Sequence, residues 1–364
     1  RVLLPAGRFV CGSLRLQSRV ELCLSQPDTV LAFAPVPTEE MYPLALCHWE
    51  TMPCYNFRAP LYALDAHDIR LSGPGVIDGQ ASPDVWWNWH HQMENAWSRQ
   101  LPDPQSADRA LLRELERQGV PAKERRFGDG HRLRPCLVQL LRCQRVLLEN
   151  VTLQNSPMWT VSPVACESLI CRGLTLRSAG PNSDGIDPES CTGVLIEACR
   201  FETGDDCISL KAGRNPHRVP APPPCRRVVI RHNRFLGGHG GVALGSETSG
   251  GICDVSVHHN RFESDQLVYA LRLKSNAARG GRLENLWFHD CDIAQVLGAA
   301  IHGTLLYEDG FGGACPPTLR NLCFQRIRAH GGRFGVCLEG LKDAPIRGLT
   351  LSALRLDDVE RPLL

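Results

Sequence analysis

The chain has 364 residues, 43% of them apolar, with 40 basic against 39 acidic side chains and a formal net charge of +1. That balance leaves no global field to draw in nucleic acid or an anionic membrane, and no run reaches the roughly 18 apolar residues of a transmembrane helix. The 17 cysteines include no C-x-x-C pair and no zinc-like Cys/His spacing. Most therefore read as small buried hydrophobes, with Cys47 and Cys54 the expected bridge across a short loop.

Residues 1–78 form a series of short β-patterned runs. Phe9-Val10, Leu14 to Leu16, Val20 to Leu22, Ile69 to Leu71 and Val76-Ile77 alternate with period two and end in Gly, Ser or Pro turns. The chain begins at Arg1 and enters a strand at once, which reads as trimmed termini and favours a secreted or periplasmic protein. Residues 79–134 differ and read as an insertion. Trp86, Trp87, Trp89 and Trp97 crowd its start, and Ala110 to Gln118 predicts a helix stopped at Gly119. The tryptophans suit either sugar stacking or packing of the insertion onto the body.

From residue 136 a repeat emerges. Cys143 to Leu153, Cys166 to Leu176, Cys191 to Phe201 and Cys225 to Phe235 share one frame. It continues at Val255, Leu286, Leu322 and Leu349, while Val20 and Ile69 fit it less clearly. One such unit cannot bury its own apolar face, so it must stack on the next. Short strands, a period near 25 and the absence of helical backs predict an all-β, single-stranded, right-handed parallel β-helix. It would be one domain over residues 1–364, of roughly ten coils about 4.8 Å apart.

The frame also places the polar motifs. Asp184, Asp205 with Asp206, His239, Arg272 with Lys274, and Tyr307 all fall late in their coils, so they line one sector of five consecutive coils. Such a sector makes a groove along the axis, suited to an extended polymer. Asp205 and Asp206 would face opposite sides of a regular strand, so a shared site requires a backbone bend, for which Gly204 is the expected cause. Carboxylates this close cannot all ionise freely, which is how one is kept as an acid beside a base. Each motif alone is ordinary, and Asp187 reads as a turn cap. Their shared sector is what points to catalysis.

Asn182-Ser183-Asp184, Asp205-Asp206, Gly238-His239-Gly240 and Arg272-Leu273-Lys274 resemble, in order, the N-T-D, D-D, G-H-G and R-I-K motifs of glycoside hydrolase family 28, the polygalacturonases. Tyr307-Glu308-Asp309-Gly310 is similar to the tyrosine segment of that family. Asn155 to Thr160 and Gly245 to Gly251 resemble its bacterial branch, which includes exo-acting members. The resemblance implies inverting hydrolysis of α-1,4-linked galacturonan, a pectic partner, and no metal or other cofactor. Asp205 would be the general acid, Asp184 and Asp206 would activate water, and His239 would help set their protonation. Arg272 and Lys274 would bind the uronate carboxylate, with Tyr307 and Asn182 contacting the sugar. The alternatives on this fold are a rhamnogalacturonan or xylogalacturonan hydrolase, a pectate lyase, and a non-catalytic glycan binder. The insertion and the proline-rich loop 214–224 are expected to wall off one end of the groove, which favours exo action.

Overall fold

The structure, a computed structural model, describes residues 1–90, 104–308 and 312–363. Trp97, Asp309 and Gly310 therefore lie outside the described residues. The chain winds as a parallel β-helix whose coils contribute strands to three long parallel ladders. In the first ladder the anchors of the repeat are direct register partners. Ile69 pairs with Val146, Val146 with Leu169, and Leu169 with Val194. The pairing continues through Val228, Val255, Leu286 and Leu322 to Leu349. Val20 belongs to the same frame, since its carbonyl accepts the Arg70 N–H at 2.9 Å.

Alternation explains why these strands stack. Val146, Leu148, Leu169, Cys171, Val194 and Ile196 point inward and are buried, while the residues between them face out. At the end of each first-ladder strand the chain turns through one left-handed residue. Asn150, Ala198, His232, His259, Asp290 and Arg326 occupy this place with φ between 50° and 60°. The second ladder follows, and its buried phenylalanines stack coil on coil. Phe235 lies 5.2 Å from Phe201 and 4.5 Å from Phe262, with planes nearly parallel. Cysteines stack likewise: the N–H of Cys143 meets Cys166 Sγ and that of Cys166 meets Cys191 Sγ, both at 3.4 Å.

The third ladder carries the site. It runs from Leu14–Arg15 through Leu61–Leu64, Val138–Leu141 and Val161–Val164. It passes by single bridges at Ile186 and Glu189 to Ile208–Leu210. Gly240–Leu244, Tyr269–Lys274, Ala299–Thr304, Phe334–Glu339 and Arg361–Leu363 complete it.

Two excursions leave the coils. One is an antiparallel hairpin, Leu44–Trp49 with Met52–Phe57, which the sequence pattern did not separate from the coil strands. The other leaves after Val76–Asp78, whose next ladder partner is Thr152–Gln154. It holds the helix Pro104–Arg117 and a short strand, Arg126–Phe127, that pairs with the hairpin. The helix starts earlier than expected because Pro104 suits a first helical turn; it ends before Gly119, whose φ is +72°.

The packing reading holds for the described tryptophans. Trp86 is fully buried against Tyr42, Phe57 and Trp89, and Trp87 Nε1–H donates to the Ser156 carbonyl. Cys47 and Cys54 face each other across the hairpin but remain free thiols, Sγ atoms 3.5 Å apart, so the expected bridge is not formed. All 17 cysteines are free and 13 are buried.

Candidate active site

The second-ladder strand Arg200–Thr203 ends where Thr203 Oγ donates to the Asp205 carbonyl at 2.7 Å. The His239 N–H donates to the same oxygen at 3.1 Å. The chain bends here, and this resolves how adjacent aspartates serve one place. Asp205 Oδ, Asp206 Oδ and a His239 ring nitrogen lie within 4.8 Å of one another. Gly204 acts differently from the expectation: its φ is not positive, but a Cβ there would sit 2.5 Å from the Gly180 carbonyl oxygen. It is needed for close approach rather than for backbone freedom. Gly240 has a similar role, since its Cβ would fall 2.6 Å from Asp206 Oδ1.

Asp206 is fully buried. Lys274 Nζ donates to its Oδ2 at 2.6 Å, and Arg272 Nη1 lies 3.6 Å from its Oδ1. The two cations expected to hold a uronate carboxylate are thus already turned on an internal one. Arg272 Nη1 also meets His239 Nδ1 at 3.3 Å, and that nitrogen lies 3.7 Å from Asp205 Oδ1. The Tyr307 ring covers both cations, 5.3 Å from the Arg272 guanidinium and 5.1 Å from Lys274 Nζ. Asn182 accepts from buried Arg134 at 2.8 Å and points its amide toward Asp205 Oδ2 at 3.5 Å. Asp184 lines the same cavity as Asp205 and His239, so the eight residues predicted from sequence are brought together.

The reading from sequence missed a second, buried charge cluster. Lys211 lies 3.7 Å from Asp184, 3.5 Å from Asp187 and 3.7 Å from Glu247, with its ammonium 4.4 Å from the centre of the Trp159 ring. Asp187 is fully buried within this cluster and is no mere turn cap. Lys211 shares its strand face with Ser209, to which it donates at 3.0 Å, so the period-two pattern did carry a signal. Trp159 sits in the Asn155 to Thr160 segment and, with Tyr307, brings an aromatic ring to the site.

The electrostatics divide the carboxylates. Burial, reinforced by the negative charges of Asp187 and Asp205, pushes Asp184 well above the ordinary carboxyl range. Burial likewise lifts Asp187, to about 7, against the pull of Lys211. Burial also opposes ionisation of Asp205, but His239 and Lys274 outweigh it and hold Asp205 well below its ordinary value. The geometry thus favours the neutral form at Asp184 and the anion at Asp205, the expected acid.

Asp205 and His239 stand between two spaces. One is a cavity of about 320 Å³ lined by Asp184, Trp159, Lys211, Lys274 and Tyr307, with Glu50, Arg109 and Arg113 opposite. The other is a depression at the turns leading into the third ladder, bounded by Arg200, Glu202, Gly238 and Gln266. The hairpin turn and the insertion helix form part of the cavity wall, and Arg214 of the proline-rich loop braces it by pairing with Glu50 at 2.6 Å. Asp205, Asp206 and His239 have the spacing of a cation site, but Lys274 and Arg272 already supply the positive charge there.

Residues 117–357 match the sequence profile described as "Glycosyl hydrolases family 28". The chain is 24% identical over 369 residues to a probable polygalacturonase of Vitis vinifera, covering 97% of this chain and 66% of that protein. It is 26% identical over 331 residues to an exo-poly-alpha-D-galacturonosidase of Dickeya chrysanthemi, covering 86% of this chain and 53% of that protein. The chain thus spans between half and two thirds of the length of these curated relatives. The structure superposes on a hyperthermoactive exopolygalacturonase from Thermotoga maritima with a TM-score of 0.93 and 37% identity, covering 100% of this chain and 80% of that one.

Proposed function

The chain belongs to glycosyl hydrolases family 28, and from that premise we propose that it hydrolyses α-1,4-galacturonosidic bonds of pectic polysaccharide with inversion, removing short units from a chain end. The observation that carries this reading is the carboxylate cluster in the wall of a small cavity, with cations at its side. A volume of about 320 Å³ lies at the small end of ligand pockets, roughly 300–1,000 Å³, and suits one or two sugars rather than a polymer. The Thermotoga and Dickeya relatives, named as exo-acting, point the same way.

In this proposal Asp205 gives its proton to the glycosidic oxygen as the C1–O bond breaks. Water attacks C1 from the opposite face and passes a proton to Asp184 or Asp206. The incoming uronate carboxylate lies against Lys274 and Arg272. There it offsets the positive charge that favours the Asp205 anion, so Asp205 takes up a proton. Once Asp205 is neutral, one of the charges that raises Asp184 is gone, and Asp184 is free to act as a base. Tyr307 and Asn182 position the sugar, and His239 sets the protonation of Asp205.

The test is release of reducing ends from polygalacturonate, with products sized through time. Monomer or dimer from the first minutes, lost in Asp205→Asn while the protein stays folded, is the expected result. A ladder of intermediate oligomers would overturn the exo reading. Ultraviolet-absorbing unsaturated uronides, abolished by EDTA, would make the protein a lyase instead.

A further inference from the structure

The cavity has a second cationic wall that the hydrolytic chemistry leaves unused. Arg109 and Arg113 lie one turn apart on the helix Pro104–Arg117, so they share a face, and both line the cavity. Both lean on Glu50 in the hairpin turn, Arg109 at 3.7 Å and Arg113 at 3.2 Å. Glu50 is already engaged by Arg214 at 2.6 Å. One carboxylate thus faces three guanidiniums. A guanidinium carries five N–H donors in a planar fork, and a carboxylate has about four acceptor sites in all. Among the described residues the Arg109 contact is longer than a hydrogen bond, and Arg113 makes one. Their side chains remain 33% and 43% exposed, and both line the cavity. Burial and the neighbouring Arg214 charge also pull Arg113 below the ordinary arginine value, as expected of a cation short of anions.

We propose that Arg109 and Arg113 seat the carboxylate of the terminal uronic acid, so that the insertion helix, as part of the cavity wall, recognises the chain end by charge. The inference rests on the exo-hydrolase reading above. It adds a second carboxylate grip in the cavity that Lys274 also lines, and a planar guanidinium pair fits a carboxylate better than a point charge does. Substrates whose terminal sugar is neutral would be refused at this wall.

The test is binding of digalacturonate and its two mono-methyl esters to the whole protein by calorimetry, alongside hydrolysis of trigalacturonate. Wild type is expected to bind each ester at least ten-fold more weakly than the diacid. R109Q/R113Q should bind the diacid ten- to hundred-fold more weakly and lose its sensitivity to one ester while keeping it for the other. R109K/R113K, which keeps the charge, should recover most of the affinity, and equal melting temperatures would show that all three proteins are folded. If R109Q/R113Q still distinguishes both esters as wild type does, the inference fails while hydrolysis stands. If the diacid binds through the arginines but no glycosidic bond is cut, the proposed function fails and the inference stands.

Discussion

Replacing Asp205 by Asn separates the acid from the base. His239 and Lys274 favour the Asp205 anion, so its role as acid depends on substrate raising its affinity for a proton. A uronate carboxylate about 5–6 Å away, at an effective dielectric near 20, disfavours the Asp205 anion by about 3 kcal/mol, or roughly two pKa units. That is enough to return a depressed carboxyl to the ordinary range. Removing the acid should cost about 10²–10⁴ in kcat on oligogalacturonate, equivalent to about 3–5 kcal/mol of barrier. An aryl galacturonide with a good phenolate leaving group needs no proton. On it Asp205→Asn should stay within about ten-fold of wild type, each ratio taken against wild type on the same substrate. Asp184→Asn should be poor on both substrates, because water must still be activated. The assay is steady-state kinetics on the two substrates. Equal losses for Asp205→Asn on both, or rescue of Asp184→Asn instead, would refute the assignment and give Asp184, whose affinity for a proton is raised, the role of acid.

Gly240→Ala places a methyl 2.6 Å from Asp206 Oδ1 at ordinary backbone angles, so it should shift Asp206 and lower kcat by about 10–100-fold with little change in melting temperature. Asp187 keeps its proton to about pH 7 when folded but loses it near pH 4 when unfolded. Its contribution to stability is therefore full below about pH 4 and lost as pH rises toward 7, by up to about 4 kcal/mol, and Asp187→Asn should flatten the fall in denaturant midpoint across that window. Equal slopes for the two proteins would contradict this. Phe235→Ala empties the middle of a buried phenylalanine stack and should lower the unfolding free energy by about 3–5 kcal/mol, read from guanidinium unfolding.

The repeat was legible because each coil must satisfy the same physical demands at the same places: an inward β-branched or leucine side chain, then a turn. That is why Val146 to Leu349 emerge as register partners. The same regularity carried Asp184, Asp205, His239, Arg272 and Lys274 to one sector. The hairpin at Leu44–Phe57 escaped because its alternation matches that of a coil strand. The roles of Arg109, Arg113 and Glu50 could not be read locally, since the insertion helix meets the cavity only through tertiary folding. Lys211 and Glu247 looked like ordinary residues until burial placed them beside Asp184. The protonation pattern was half legible: crowding of carboxylates predicts that one pKa rises, but which one depends on where His239 and Lys274 point.

The central claim is tested most directly by following trigalacturonate hydrolysis with proton NMR from the first turnover. The account predicts that the newly formed reducing end appears first as the β-anomer, inverted from the α-linkage, and that the smallest fragment comes from one end of the chain alone. Initial formation of the α-anomer, or cleavage at both bonds without preference, would contradict it.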